Sequence, residues 1–221
     1  MIDLAWMTVL AYLVGSVSGS LVLGRLRGVD IRAMGSGNAG GTNALRTVGW
    51  MFALGVVLID IGKGVLAAAL IPALPLVVHD LAPALAGADP VSHATRAAAC
   101  GFAAVLGHVW PVYFGFRGGK GAGTAVGVVA VLAPWCLLPL LVVWLVTLLG
   151  TGFVGLATVL GGLTLAPSMW LIGPDPLPPA YGALAIALAA LLVFTHRENL
   201  ARLKSGTENR FEKVRVLRRG R

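Results

Sequence analysis

The sequence predicts an all-α polytopic membrane protein of about seven transmembrane helices, N-terminus outside and C-terminus inside. Three observations predict it. Hydrophobic residues make up 57% of the 221 and charged residues 12%, with a mean hydropathy of +0.87. That composition belongs to membrane chains. Apolar stretches suited to a hydrocarbon layer about 30 Å thick recur along the chain. Lys and Arg gather in alternate connections, as the positive-inside rule requires. The whole chain, 1–221, reads as one integral membrane domain with a basic tail at 209–221. Its net charge of +8 fits inside loops lying against anionic lipid, and no nucleic-acid partner is expected. Cys100 and Cys136 both lie in apolar segments and outside any ligand spacing, so neither a disulfide framework nor a metal site is predicted.

Leu4–Leu23 is the first span: Asp3 precedes it and Arg25 and Arg27 follow, which is the wrong charge order for a signal peptide. Arg25–Gly49 carries four arginines and is an inside loop. Trp50–Val78 is the second span, long enough to tilt or to break near Gly62 and Gly64. It holds Asp60 and Lys63, three apart and so on one helix face. They read either as a pair that fixes packing or as functional groups inside the membrane. His79–Thr95, with Asp80, Asp89 and exposed His79 and His93, is an outside loop. The third span begins at Ala97–Leu106, and Pro111 ends or kinks it. Ala122–Ala133 and Leu137–Leu149 are the fourth and fifth, joined outside at Pro134 and Trp135; both are short. Leu156–Ile172 and Ala180–Thr195 are the sixth and seventh, joined by a proline-rich outside loop. A five-span reading, in which the two short segments do not cross, leaves the same loops inside.

Three polar stretches then share one membrane face. In Gly107–Gly123, GHVWPVYFGFRGGKGAG, the glycines at Gly118, Gly119 and Gly121 allow backbone N–H groups to point inward as an anion nest, with Lys120 beside them. The helix that follows turns its N-terminus toward the turn. In Arg25–Gly49, Ser36, Asn38, Thr42 and Asn43 stand among glycines ahead of Arg46, on a short helix capped by Thr42 or Asn43. Hydroxyls, amides and a guanidinium fork together match a phosphate monoester. The tail begins HRENLARLKSGTE, where His196 and Asn199 share a side of a helical continuation and Glu208 follows Gly206.

Read together, GSGNAGGTNALR at Gly35–Arg46, GHVWPVYFGFRGGKG at Gly107–Gly121 and HRENLARLKSGTE at His196–Glu208 resemble the three signatures of bacterial membrane glycerol-3-phosphate acyltransferases that use acyl phosphate. DIGKG in the second span also fits. The resemblance implies an enzyme of phospholipid biosynthesis in the bacterial inner membrane, with its active site on the cytoplasmic face. It would join the acyl group of an acyl phosphate to the C1 hydroxyl of glycerol-3-phosphate, with no cofactor. It implies catalytic roles for Ser36, Arg46, Lys120, His196 and Asn199, and substrate binding by Asn38, Thr42, Asn43, His108, Gly118, Gly119, Gly121 and Glu208. Two departures stand out. Ala39 and Gly40 replace a proline and alanine, and the turn Thr151–Leu156 offers Gly152 and Gly155 where an arginine and a serine are usual, leaving Thr151 or Thr158 to replace a phosphate contact. The His-x4-Asp pattern of soluble-type acyltransferases is absent: five residues after His108 is Tyr113, and after His196 is Ala201. The alternative is a carrier or channel for a phosphate ester, which glycine-broken helices and intramembrane Asp60 and Lys63 would also suit.

Overall fold

In the computed structural model, residues 2–74 and 91–211 are described. His79, Asp80, Asp89 and the tail segment Lys213–Arg221 lie outside the described residues. Among the described residues all regular structure is helical. The chain packs as two compact units, Met1–Leu132 and Ala133–Arg221.

The first unit holds α1 (Ile2–Gly15), α2 (Gly19–Leu26), α3 (Gly41–Thr47), α4 (Trp50–Ala69), α5 (His93–Val109) and α6 (Ala122–Leu132). The single first span expected at Leu4–Leu23 is instead a pair of helices bent by 46°. The break falls in GSVSGS, where buried serines compete with the helix ladder: Ser16 Oγ donates back to Tyr12 O at 2.9 Å. The second span does not break at Gly62 or Gly64; α4 runs through both. Gly64 has a packing reason instead, since a Cβ there would collide with Thr124 O of α6, whereas a Cβ at Gly62 would meet nothing within 4 Å. α1 and α5 also approach backbone to backbone, Gly15 against Ala104 and Gly107 against Tyr12 and Ser16. These small-residue contacts bring helices together where hydrophobic burial alone gives no drive, in lipid.

The third span starts earlier than its apolar run suggests. Ser92 caps α5, its hydroxyl accepting from Thr95 N at 3.2 Å, so exposed His93 lies in the first turn rather than in a loop. Pro111 follows the end of α5, as expected.

The second unit holds α7 (Leu137–Thr151), α8 (Val154–Leu163), α9 (Leu165–Ile172), α10 (Pro179–Thr195) and α11 (Arg197–Lys204). A 3-10 turn at Pro134–Cys136 extends α7, so the fifth segment is 18 residues long, not short. α8 and α9 form one passage, Val154–Ile172, and α10 and α11 meet at a 52° bend.

Four passages are long and apolar enough to cross a membrane: Trp50–Ala73, His93–Phe114, Pro134–Thr151 and Val154–Ile172. The two bent pairs bring the number to six. The remaining apolar segment of the seven expected, α6, has 11 residues; it begins only after the glycine loop and stops before Pro134.

Candidate active site

The first glycine-rich loop is built around one side chain. Asn43 sits inside α3, which Gly40 caps, so neither Thr42 nor Asn43 is the cap that the sequence suggested. Asn43 is buried, and its amide reaches back into the loop. Its Nδ2 lies 2.9–3.1 Å from Met34 O, Ile31 O and Asn38 O, and its Oδ1 accepts from Ser36 N at 3.0 Å. One side chain thereby does for this loop what a helix ladder does elsewhere. It presents Ser36 at the surface and sets the start of α3, whose last turn carries exposed Arg46.

The second loop follows α5. Gly118 N donates to Val109 O at 3.2 Å and Gly119 N to His108 O at 3.1 Å. Those two N–H groups close the end of α5, which leaves carbonyls without helical partners. They do not point into an anion nest as expected. The donors available to an anion shift forward to the start of α6, where first-turn N–H groups lack helical acceptors. Lys120, half-buried, stands two residues before that start, with Gly121 between.

The two loops are stitched together. A Cβ at Gly119 would stand 2.6 Å from Ala39 O and collide with the His108 imidazole, so only glycine allows this approach. Arg32, which sequence reasoning passed over, donates from Nη1 to Phe114 O at 3.2 Å and to Arg117 O at 3.4 Å. Its other face pairs with Asp30, Nη2 to Oδ2 at 3.0 Å. The Arg32 guanidinium beside Asp30 holds that carboxyl below the usual carboxylate range.

Beneath the loops lies a buried charge cluster. Asp60, Lys63 and His108 are 4%, 4% and 3% exposed. Asp60 Oδ1 is 3.2 Å from Lys63 Nζ and 3.3 Å from His108 Nδ1; the histidine contact lacks the alignment of a good hydrogen bond. Lys63 Nζ also donates to Gly15 O at 2.7 Å and Val17 O at 3.0 Å, and Asp60 Oδ1 accepts from Gly19 N at 3.1 Å. The ammonium thus meets the carbonyl end of α1 and the carboxylate meets the N–H end of α2, each charge matched to the helix terminus it faces. All three ammonium donors are used.

In the second unit, His196 sits buried at the junction of α10 and α11, its Nδ1 2.8 Å from Leu192 O. A carbonyl only accepts, so Nδ1 carries the proton and Nε2 is left as an acceptor. Asn199 Nδ2 donates to Glu208 Oε1 at 2.6 Å, and Arg202 Nε donates to Glu208 Oε2 at 2.8 Å. Arg202 was also overlooked; its place one helical turn after Asn199 was the available signal. Gly155 faces this group closely, a Cβ there lying 2.7 Å from Asn199 Cβ. The hydroxyls offered as replacements for the usual arginine and serine are engaged locally: Thr151 Oγ1 donates to Thr147 O at 2.7 Å and accepts from Phe153 N at 3.2 Å. Thr158 Oγ1 donates to Val154 O at 2.9 Å and lies 3.3 Å from Trp144 Nε1. The turn is met by the tail, Phe211 N donating to Gly152 O at 2.8 Å with the Arg210 guanidinium 4.7 Å from the Phe153 ring centre. Among the described residues no group of three or more His, Cys, Asp or Glu side chains could hold a metal ion.

Comparison with known proteins identifies the family. Residues 5–206 match the family model described as glycerol-3-phosphate acyltransferase. A glycerol-3-phosphate acyltransferase of Shouchella clausii is 42% identical over 207 residues, covering 91% of this chain and 93% of its own. Glycerol-3-phosphate acyltransferase 1 of Deinococcus radiodurans is 42% identical over 206 residues, covering 93% and 94%. Crystal structures of PlsY, an integral membrane glycerol 3-phosphate acyltransferase, are similar in fold, with a TM-score of 0.78 and 33% identity. The glycerol 3-phosphate form covers 94% of this chain and 95% of its own, and the lysophosphatidic acid form 97% and 98%.

Proposed function

The chain belongs to the glycerol-3-phosphate acyltransferase family of integral membrane enzymes, and we propose that its acyl donor is an acyl phosphate and its product 1-acyl-glycerol-3-phosphate. The observation that carries this reading is the stitching of two glycine-rich loops in one unit, one ending in Arg46 and the other in Lys120. Two substrates that each bear a phosphate call for two such cationic loops. The C1 hydroxyl attacks the acyl carbonyl, the bond from carbonyl carbon to phosphate oxygen breaks, and inorganic phosphate leaves.

Arg46 and Lys120 offset the charge that gathers on the leaving phosphate. Ser36, Asn38 and Thr42 donate to phosphate oxygens, and Asn43 holds the loop that carries them. Gly118 and Gly119 shape the second loop, and Gly121 leads into the α6 N-terminus that receives an anion. We assign catalytic roles to His196 and Asn199 of the second unit as well, where Glu208 accepts the hydrogen bond of Asn199. The hydroxyl proton passes to a phosphoryl oxygen of the substrate, so protein groups mainly position. We place the protein in the bacterial inner membrane with these loops on the cytoplasmic face, the side marked by its arginines and lysines.

Purified protein given radiolabelled glycerol-3-phosphate and either palmitoyl phosphate or palmitoyl-CoA tests the donor. Labelled lysophosphatidic acid should form with palmitoyl phosphate alone. Formation from palmitoyl-CoA with release of free thiol would replace this reading with a thioester-dependent enzyme.

A further inference from the structure

The Asp60–Lys63–His108 cluster does more than neutralise itself. Its three members lie on α4 and α5, and its contacts reach the α1–α2 break on one side and the second glycine loop on the other. Lys63 and Asp60 satisfy Gly15 O, Val17 O and Gly19 N, groups that the break leaves without helical partners. A lysine and an aspartate tied to backbone groups of a third element have little freedom to move. That rigidity is passed on. The Asp60 carboxylate lies 3.3 Å from His108 Nδ1, so the ring edge is held by charge and packing rather than by an aligned hydrogen bond. The opposite edge of the ring, Nε2, lies under Gly119, where even a methyl group would collide with it. The other side of Gly119 is Ala39 O of the first loop. His108 O holds Gly119 N from the backbone as well.

We propose that Asp60 and Lys63 are positioning residues for the glycine loop: through His108 they set Gly119 against Ala39, and so hold Lys120 and the α6 N-terminus in the register that binds the phosphate of glycerol-3-phosphate. The cluster acts on the ligand only through the loop. This inference rests on the glycerol-3-phosphate reading above.

Direct binding tests it without the acyl donor. Glycerol-3-phosphate is titrated calorimetrically into purified protein in detergent, for wild type, Asp60→Asn, His108→Gln and the double variant Asp60→Asn/His108→Gln. Asp60→Asn alone leaves Lys63 with an unpaired buried charge and is the variant most prone to misfold. Asp60→Asn/Lys63→Gln removes both charges together, and the glutamine, one bond shorter than lysine, no longer holds Gly15 O and Val17 O as the ammonium does. Each single variant and the charge-free pair should weaken binding about tenfold, the size of a coupled contact. Adding Asp60→Asn to His108→Gln should weaken it no further, because the one acts through the other.

A packing staple behaves differently. It would lower the unfolding temperature of all the variants while the folded protein bound with wild-type affinity, and that result overturns the proposal. Independent, additive losses from Asp60→Asn and His108→Gln also overturn the route through His108. Wild-type protein that binds no glycerol-3-phosphate overturns the acceptor reading and this one together, whereas equal binding by wild type and the charge-free pair overturns this one alone.

Discussion

At the scale of single residues, buried polar side chains hold the loops that carry the exposed ones. Asn43 organises the first loop by bonding to backbone at Ile31, Met34, Ser36 and Asn38. Asn43→Ala leaves those groups without their partner and should cost roughly 1–3 kcal/mol. The loss reads out as a lower unfolding temperature together with a larger fall in acyl transfer, because the loop that carries Ser36 and leads to Arg46 loses its frame. An unchanged unfolding temperature would show that the loop has another organiser. The residue types of the candidates were legible in the sequence: Ser36, Asn43, Arg46 and Lys120 in the first unit and His196 and Asn199 in the second all stand in the polar stretches between apolar runs. Which of them face outward was not. An asparagine among glycines reads equally well as a ligand donor or as a loop brace, and burial is set by residues distant in sequence. Arg32 was missed for the same reason, since its acceptors, Phe114 O and Arg117 O, lie in another loop. For Gly118 and Gly119, local flexibility suggested an open nest, but the unsatisfied carbonyls at the end of α5 claim their N–H groups first.

At the scale of elements, glycine placement records where helices touch. Within α4, Gly64 packs against the Thr124 backbone and Gly62 faces open space. Gly62→Ala should therefore leave stability unchanged or raise it by up to about 1 kcal/mol through helix propensity. Gly64→Ala should lower it by about 1–3 kcal/mol, as overpacking does. Thermal unfolding of the two variants side by side distinguishes contact from intrinsic helix preference; equal effects would mean that α4 and α6 do not meet here. The sequence pointed to a break at these glycines because a glycine pair beside charged residues resembles a kink. The break lies in α1–α2 instead, where Ser16, Ser18 and Ser20 are all fully buried. Asp60 and Lys63 reach that break from an unbroken helix. A serine and glycine cluster in the middle of an apolar run was the signal available.

At the scale of the whole molecule, an apolar surface that would be a liability in water is what a bilayer covers. α7 leaves Leu138, Val142 and Val146 exposed along its length, and α4 leaves Leu54 and Leu58 exposed. The class of protein and most segments were legible because lipid imposes long apolar runs and places cations on one side. Segment ends were not, because caps and turns such as Ser92 and Pro134–Cys136 extend helices beyond the apolar run. The family gives the molecule one task, acylating glycerol-3-phosphate, and the proposed donor makes both substrates phosphate-bearing. The most direct measurement of that task is the stoichiometry of inorganic phosphate released to lysophosphatidic acid formed. It uses purified protein in lipid with palmitoyl phosphate, with and without glycerol-3-phosphate. One phosphate per lysophosphatidic acid, and none released without glycerol-3-phosphate, is the predicted result. Phosphate release that does not need the acceptor, or glycerol-3-phosphate flux across sealed vesicles with no lysophosphatidic acid formed, would contradict it.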